Sequence, residues 1–146
     1  MDNLINFQFA TITGDATMQG LLGTPMQVYQ VKSPPDNNEK PFKYIVMNIT
    51  ASMVDPWSIM QGYSDFHIWT FGPARTLSYQ IRDQLLALFE RLYYPSIENV
   101  SSVRYRYQSE HWLMEVNKRV HHHIVRFSVR WVEDKTITAV LTREGA

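Results

Sequence analysis

The stretch GPARTLSYQIRDQLLALFERL, residues 72–92, decides the fold class. Gly72-Pro73 breaks the segment before it. A proline in the first helical turn costs little, because its missing N–H has no intrahelical partner there. Leu77, Ile81, Leu85, Leu88 and Leu92 then recur at steps of four, four, three and four, the repeat of a single helical stripe. Leu86 and Phe89 widen the stripe, while Arg75, Arg82, Asp83 and Arg91 fall mostly off it. Tyr94-Pro95 ends the run, since the residue before a proline disfavours helical backbone. The pattern predicts an amphipathic helix over about 73–92, packed on a broad sheet face.

The flanking sequence reads as strands. Tyr44 to Thr50 is rich in β-forming residues. In Tyr63 to Phe71, Phe66 and Ile68 point one way and Tyr63, His67, Trp69 and Phe71 the other, as in a strand covered on both sides. Val103, Tyr105 and Tyr107 alternate with Arg104, Arg106 and Gln108. Trp112, Met114 and Val116 resume the alternation beyond an expected turn near Ser109-Glu110. Val125, Phe127, Val129 and Trp131 alternate with Arg126, Ser128 and Arg130. These three runs predict an antiparallel meander with one apolar face.

At the N-terminus, Leu4, Ile5, Phe7, Phe9 and Ile12 read as a short helix. Asp15 to Leu22 reads as a further helical turn stopped by Gly23, and Met26 to Val31 as a short strand. Lys32 to Pro41 is a polar, Pro-rich loop containing Pro34, Pro35, Asp36, Asn37 and Asn38. A second expected loop, Ser52 to Gly62, carries the apolar residues Met53, Val54, Trp57, Ile59 and Met60, which must tuck back onto the domain or be covered by another chain. The segment after Glu133 reads as a partly mobile tail. The order α-β-β-β-α-β-β-β predicts one α+β domain over residues 1–146. Its sheet is expected to be mostly antiparallel, with the long helix on one face.

Composition agrees. The chain has 146 residues, 45% hydrophobic and 19% charged, enough for one globular domain with a core of its own. The formal net charge is zero, which argues against the basic excess of a dedicated nucleic-acid binder. The charge is uneven, with three Lys against six Asp/Glu in residues 1–74 and nine Lys/Arg against five in 75–130. The absence of Cys excludes disulfides, thiolate catalysis and Cys-type zinc sites. Residues 1–10 lack a signal peptide's basic start, and no apolar run has the length of a membrane span, so the expectation is a chain made in a cytoplasm with no membrane partner.

Chemical motifs are sparse. In His121-His122-His123 only the first and third can share a strand face, and a third metal ligand must come from elsewhere, with His111 the candidate. The favoured reading is ordinary polar residues at a strand start. Asp65 and His67 share a face and read as a surface pair, since no nucleophile motif accompanies them. Gly14, Gly20 and Gly23 form no phosphate loop. Arg104, Arg106, Arg126 and Arg130 lie on the polar side of their strands. Nucleic-acid-binding sheets place aromatics beside such arginines, whereas Tyr105 and Tyr107 point the opposite way, so a solvated or ion-paired face is favoured.

Taken in order, the short Met26 to Val31 strand, the Pro loop closing on Pro41-Phe42-Lys43-Tyr44-Ile45-Val46, the Gly62 to Trp69 strand, the amphipathic helix and the closing strand Ile124 to Trp131 resemble the tail-completion, or tail-to-head joining, proteins of long-tailed bacteriophages. The resemblance spans roughly residues 1–132. It implies a virion structural protein made in a host cytoplasm, with no catalytic residues, metal or cofactor. Such a subunit forms a ring, expected to be a hexamer, at the head-proximal end of the tail tube. Its implied partners are further copies of itself, the tail tube protein and the head–tail connector or stopper, with DNA passing through the ring. On this reading Met53, Val54, Trp57, Ile59, Met60, Tyr63, Trp69 and Phe71 are expected at subunit contacts. Pro34 to Asn38 are expected to touch the tube or connector, and Arg104 and Arg106 to face the channel. Trp57→Ala, or charge at Ile59 or Met60, is expected to weaken the ring and spare the fold. The alternatives are a nucleic-acid-binding module using the arginine face, and a small metal-dependent enzyme using His111, His121 and His123.

Overall fold

Asp15 opens a short helix as its cap. Its carboxylate accepts the Met18 backbone N–H at 2.8 Å and, from the long helix, Gln84 Nε2 at 2.9 Å, so one side chain both starts a helix and docks it on another. Gly23 closes that helix at φ +87°, the left-handed region glycine enters freely. The computed structural model describes residues 2–23, 26–30, 43–53, 59–90, 93–97, 100–115 and 119–133, with only the backbone described at 2–3, 52–53, 93–97, 100–101 and 133. The 32–41 loop with Pro34, Pro35, Asp36, Asn37 and Asn38, the residues Val54 and Trp57, and the segment after Glu133 lie outside the described residues.

The elements are α1 (Asp2–Thr13), α2 (Ala16–Leu22), β1 (Val28–Gln30), β2 (Lys43–Met53), β3 (Ile59–Phe71), α3 (Thr76–Phe89), β4 (Tyr93–Ile97), β5 (Val100–Leu113) and β6 (Val120–Glu133). The strands form a six-stranded sheet in the order β1-β2-β3-β6-β5-β4. Among the described residues only β1 with β2 is parallel; every other pairing is antiparallel. The helices cover one sheet face, giving the expected α+β architecture with a mostly antiparallel sheet.

The long helix is shorter than its sequence pattern, running from Thr76 to Phe89, and its buried line is Ser78, Ile81, Leu85 and Phe89. Leu77 and Leu88 flank that line, only partly buried. Ser78 reaches the centre because its hydroxyl bonds Thr70 on β3 at 2.6 Å, so a polar residue serves where periodicity favours leucine. Beneath α3 the aromatic core is Phe66, Phe89, Tyr105 and Phe127, with ring centroids 5.0–5.7 Å apart for the Phe66–Phe89, Phe89–Tyr105 and Phe66–Phe127 pairs. Helix α1 is fixed by Gln8, fully buried, whose Oε1 accepts from Ser64 at 2.7 Å and from Tyr105 at 2.9 Å.

Three expectations are corrected. No turn stands at Ser109-Glu110. Strand β5 runs through it, with a register shift between Tyr107 and Ser109. The extra residue, Gln108, moves the inward phase from odd numbers (Tyr105, Tyr107) to even ones (Glu110, Trp112), which keeps one face apolar without a turn. The described parts of the expected 52–62 loop, residues 52–53 and 59–62, are strand. Met53 pairs with Met60, and Ile59 and Met60 pair with Val132 and Trp131, because Gly62 lets the two strands close: a Cβ there would lie 2.0 Å from the Thr50 carbonyl oxygen. Strand β4, with Pro95 inside it, was not expected. Proline is tolerated because β4 is an edge and Pro95 makes no ladder pair between Tyr94–Val103 and Ser96–Ser101.

Candidate functional site: the outer face of the sheet

The face turned away from the helices is built by alternate residues of four adjacent strands, β2, β3, β6 and β5. Register puts Trp69 beside Tyr44 and His122, Asp65 beside Arg126, Tyr63 beside Ser128, and Arg104 beside Arg130. Tyr63 and Phe71 are each 42% exposed and Leu113 is 44%, an unusual amount of large apolar surface for one face.

One end of the face is aromatic and imidazole-rich. Tyr44 stacks on Trp69, and Trp69 on His122 with centroids 3.7 Å apart. His122 Nε2 lies 2.8 Å from His67 Nδ1, and its other nitrogen 3.2 Å from Glu115 Oε1. Burial lowers the pKa of both imidazoles, and each lowers further in the field of His111. Glu115 opposes this at His122, as Asp65 does at His67.

The other end is basic. Arg126 holds Asp65 with two hydrogen bonds of 2.8 and 3.0 Å, and its guanidinium sits 4.8 Å above the Tyr63 ring. Asp65 is thus buried and committed to Arg126, not paired at the surface with His67. Beside them lie two open depressions. One, of about 770 Å³, is lined by Thr50, Gln61, Tyr63, Gln108 and Ser128 among others. The other, of about 230 Å³, is lined by Gln61, Arg104, Arg106, Ser128 and Arg130 with Val129.

The histidine run divides across the sheet. His121 bonds the Gly72 carbonyl at 2.9 Å on the helix side. His123, also on that side and fully buried, places Nε2 at 2.5 Å from Glu110 Oε2 and stacks on Trp112, whose ring also meets Arg75 at 4.3 Å. Glu110 is held in turn by Arg82 at 2.9 Å. Hydrogen bonds from Arg82 and His123 hold the Glu110 carboxyl below its ordinary range against the opposing effect of burial. His121 and His123 therefore share a face but have separate partners, while His111 belongs to the opposite face with His67 and His122. The expected three-histidine constellation is not assembled. Among the described residues no group of three or more His, Asp or Glu is arranged to hold a metal ion.

Neither a protein-family profile nor a curated protein sequence matches the chain. Solved structures do. A chain from the virion of a native gene transfer agent particle superposes with a TM-score of 0.64 at 10% identity, covering 85% of this chain and 90% of that one. A second solved chain superposes with a TM-score of 0.60 at 14% identity, covering 90% and 95%. At such identities the likeness is one of fold.

Of the expected contact residues, Ile59, Tyr63, Trp69 and Phe71 share the outer face with Arg104 and Arg106. Met60 does not: it packs against the hydrophobic core. For Met53 only the backbone is described, at the end of β2. Sequence reading missed Gln8, Glu110 and Glu115. It also missed that Tyr63 lies on the arginine face, because Tyr63 and Arg126 meet only through the pairing of β3 with β6, strands distant in the chain.

Proposed function

We propose that this chain is a structural subunit of a phage-type virion, and not an enzyme. Its copies close into a ring, expected to be a hexamer, at the head-proximal end of a tail tube, ending the tail and joining it to the head connector or stopper. The observation that carries this reading is the fold shared with the gene transfer agent virion chain over nearly the whole length of both. The order of elements that resembles tail-completion proteins supports it from the sequence.

A ring subunit needs surface that its neighbours can cover. The aromatic end of the outer sheet face, with Trp69 and Phe71, is the candidate for that contact. No described helix is long and apolar enough to cross a membrane.

Light scattering with negative-stain imaging tests the reading. A closed ring of expected hexameric mass, or a monomer that closes into one when isolated tail tubes are added, supports it. A monomer that ignores tail tubes overturns it. Phe71→Asp should shift the mass towards monomer with an unchanged circular dichroism spectrum. Met60→Asp should instead cost the fold itself, since it puts charge against the core.

A further inference from the structure

We propose that the basic half of the outer sheet face binds single-stranded nucleic acid, with Arg106 and Arg130 taking backbone phosphates and Tyr63 stacking a base. Arg104 opposes Arg130 across the strand pair, and Arg106 is the next outward residue on β5. Like charges placed directly opposite weaken a sheet, and a polyanion laid across them relieves that repulsion. The Asp65 carboxylate is committed to Arg126, while Arg106 and Arg130 are exposed. The patch therefore offers charge to an anionic partner, although the chain as a whole is neutral.

Aromatic placement selects the kind of anion. Tyr63 is 42% exposed on the same face as these arginines, and Arg126 at 4.8 Å holds its ring. Successive bases of a single strand stack on such rings while basic side chains follow the backbone. The depression beside Tyr63, about 770 Å³, has room for a base, and the amides of Gln61 and Gln108 with the hydroxyls of Thr50 and Ser128 border it as hydrogen-bonding groups. Gln61 and Ser128 also border the arginine depression, so the stacking and phosphate positions adjoin. A duplex, with its bases already stacked, could use the arginines but not the ring. A ring closed through the Trp69 and Phe71 end of the face leaves Tyr63 and the arginines at the other end open.

The test is binding of oligo-dT of about 16 nucleotides across a salt series, with the full chain in whatever oligomeric state it adopts. Affinity should fall with salt by roughly 0.7 log units per log unit for each phosphate held, and Arg106→Gln with Arg130→Gln should reduce that slope by about 1.4. Tyr63→Ala should weaken binding about tenfold or more and leave the slope unchanged. Arg75→Gln, which alters the helix side against Trp112, should bind as the parent does. Circular dichroism confirms that each variant is folded. No binding by the parent at low salt would overturn the proposal. So would unchanged binding by the arginine pair, indifference to Tyr63→Ala, or equal affinity for a duplex or for poly-glutamate.

Discussion

Gln8 shows how much one side chain can hold. It is fully buried, and its Oε1 satisfies hydroxyls on β3 and β5, Ser64 and Tyr105, which themselves lie inside the core. An apolar replacement fills the space but leaves both hydroxyls without their acceptor. Gln8→Leu should therefore destabilise the fold by about 1–3 kcal/mol, read as a lower urea midpoint with an unchanged slope. Nothing in the sequence marked this residue. It sits in a helix whose apolar residues follow no clean period, and its partners are 56 and 97 positions away. Gly23, by contrast, was legible as a helix stop, because a left-handed cap is a local demand that glycine meets.

Elements were readable where their period was local and unbroken. Strand β6 and helix α3 were found in place, although α3 starts three residues after Pro73, ends at Phe89, and has its buried line recentred by the Ser78–Thr70 contact. Strand β5 was divided because its apolar phase changes parity, and a sequence reader meets a parity change as a turn. The added residue of the bulge produces the same change with no reversal of the chain. Deleting Gln108 should expose the difference. Either Glu110 and Trp112 rotate to the outer face, or Tyr105 leaves the core and Tyr107 the helix side. In both cases the Trp112–His123 stack, with ring centroids now 4.0 Å apart, or the Tyr105 contacts must fail. The expected result is a large loss of near-ultraviolet circular dichroism with far-ultraviolet signal retained.

At the scale of the whole molecule, the candidate site was legible as residue types and not as an arrangement. The arginines of one face were visible from alternation, but their neighbours across β6 depended on a strand order that no local rule supplies. The same holds for the imidazoles. Burial lowers the pKa of His67, His122 and His123, whereas in the unfolded chain they take protons near the ordinary value of about 6.5. The unfolded chain therefore holds more protons between that value and the lower folded-state values. Stability is complete above about pH 6.5 and falls as the pH drops below it. Melting temperatures from pH 7.5 down to 5.5 should show this decline. His67→Gln with His122→Gln should make it shallower, leaving the part due to His123, since it removes the pair while sparing Asp65, Arg126, His111 and Glu115 around them. Glu110, held below its ordinary range by Arg82 and His123, adds a second loss of stability only in more acid solution.

The last strand in the described chain lies in the middle of the sheet, between β3 and β5. Synthesis proceeds from the N-terminus at about 5–20 residues per second, and many domains consolidate as they emerge. This one cannot, because until β6 is made the β1–β2–β3 half and the β4–β5 half have no strand between them. For some seconds each nascent chain must carry two open sheet edges. Those edges belong to β3 and β5, among the longest strands of the sheet, so crowded polysomes are where its copies run the greatest risk of pairing with the wrong neighbour.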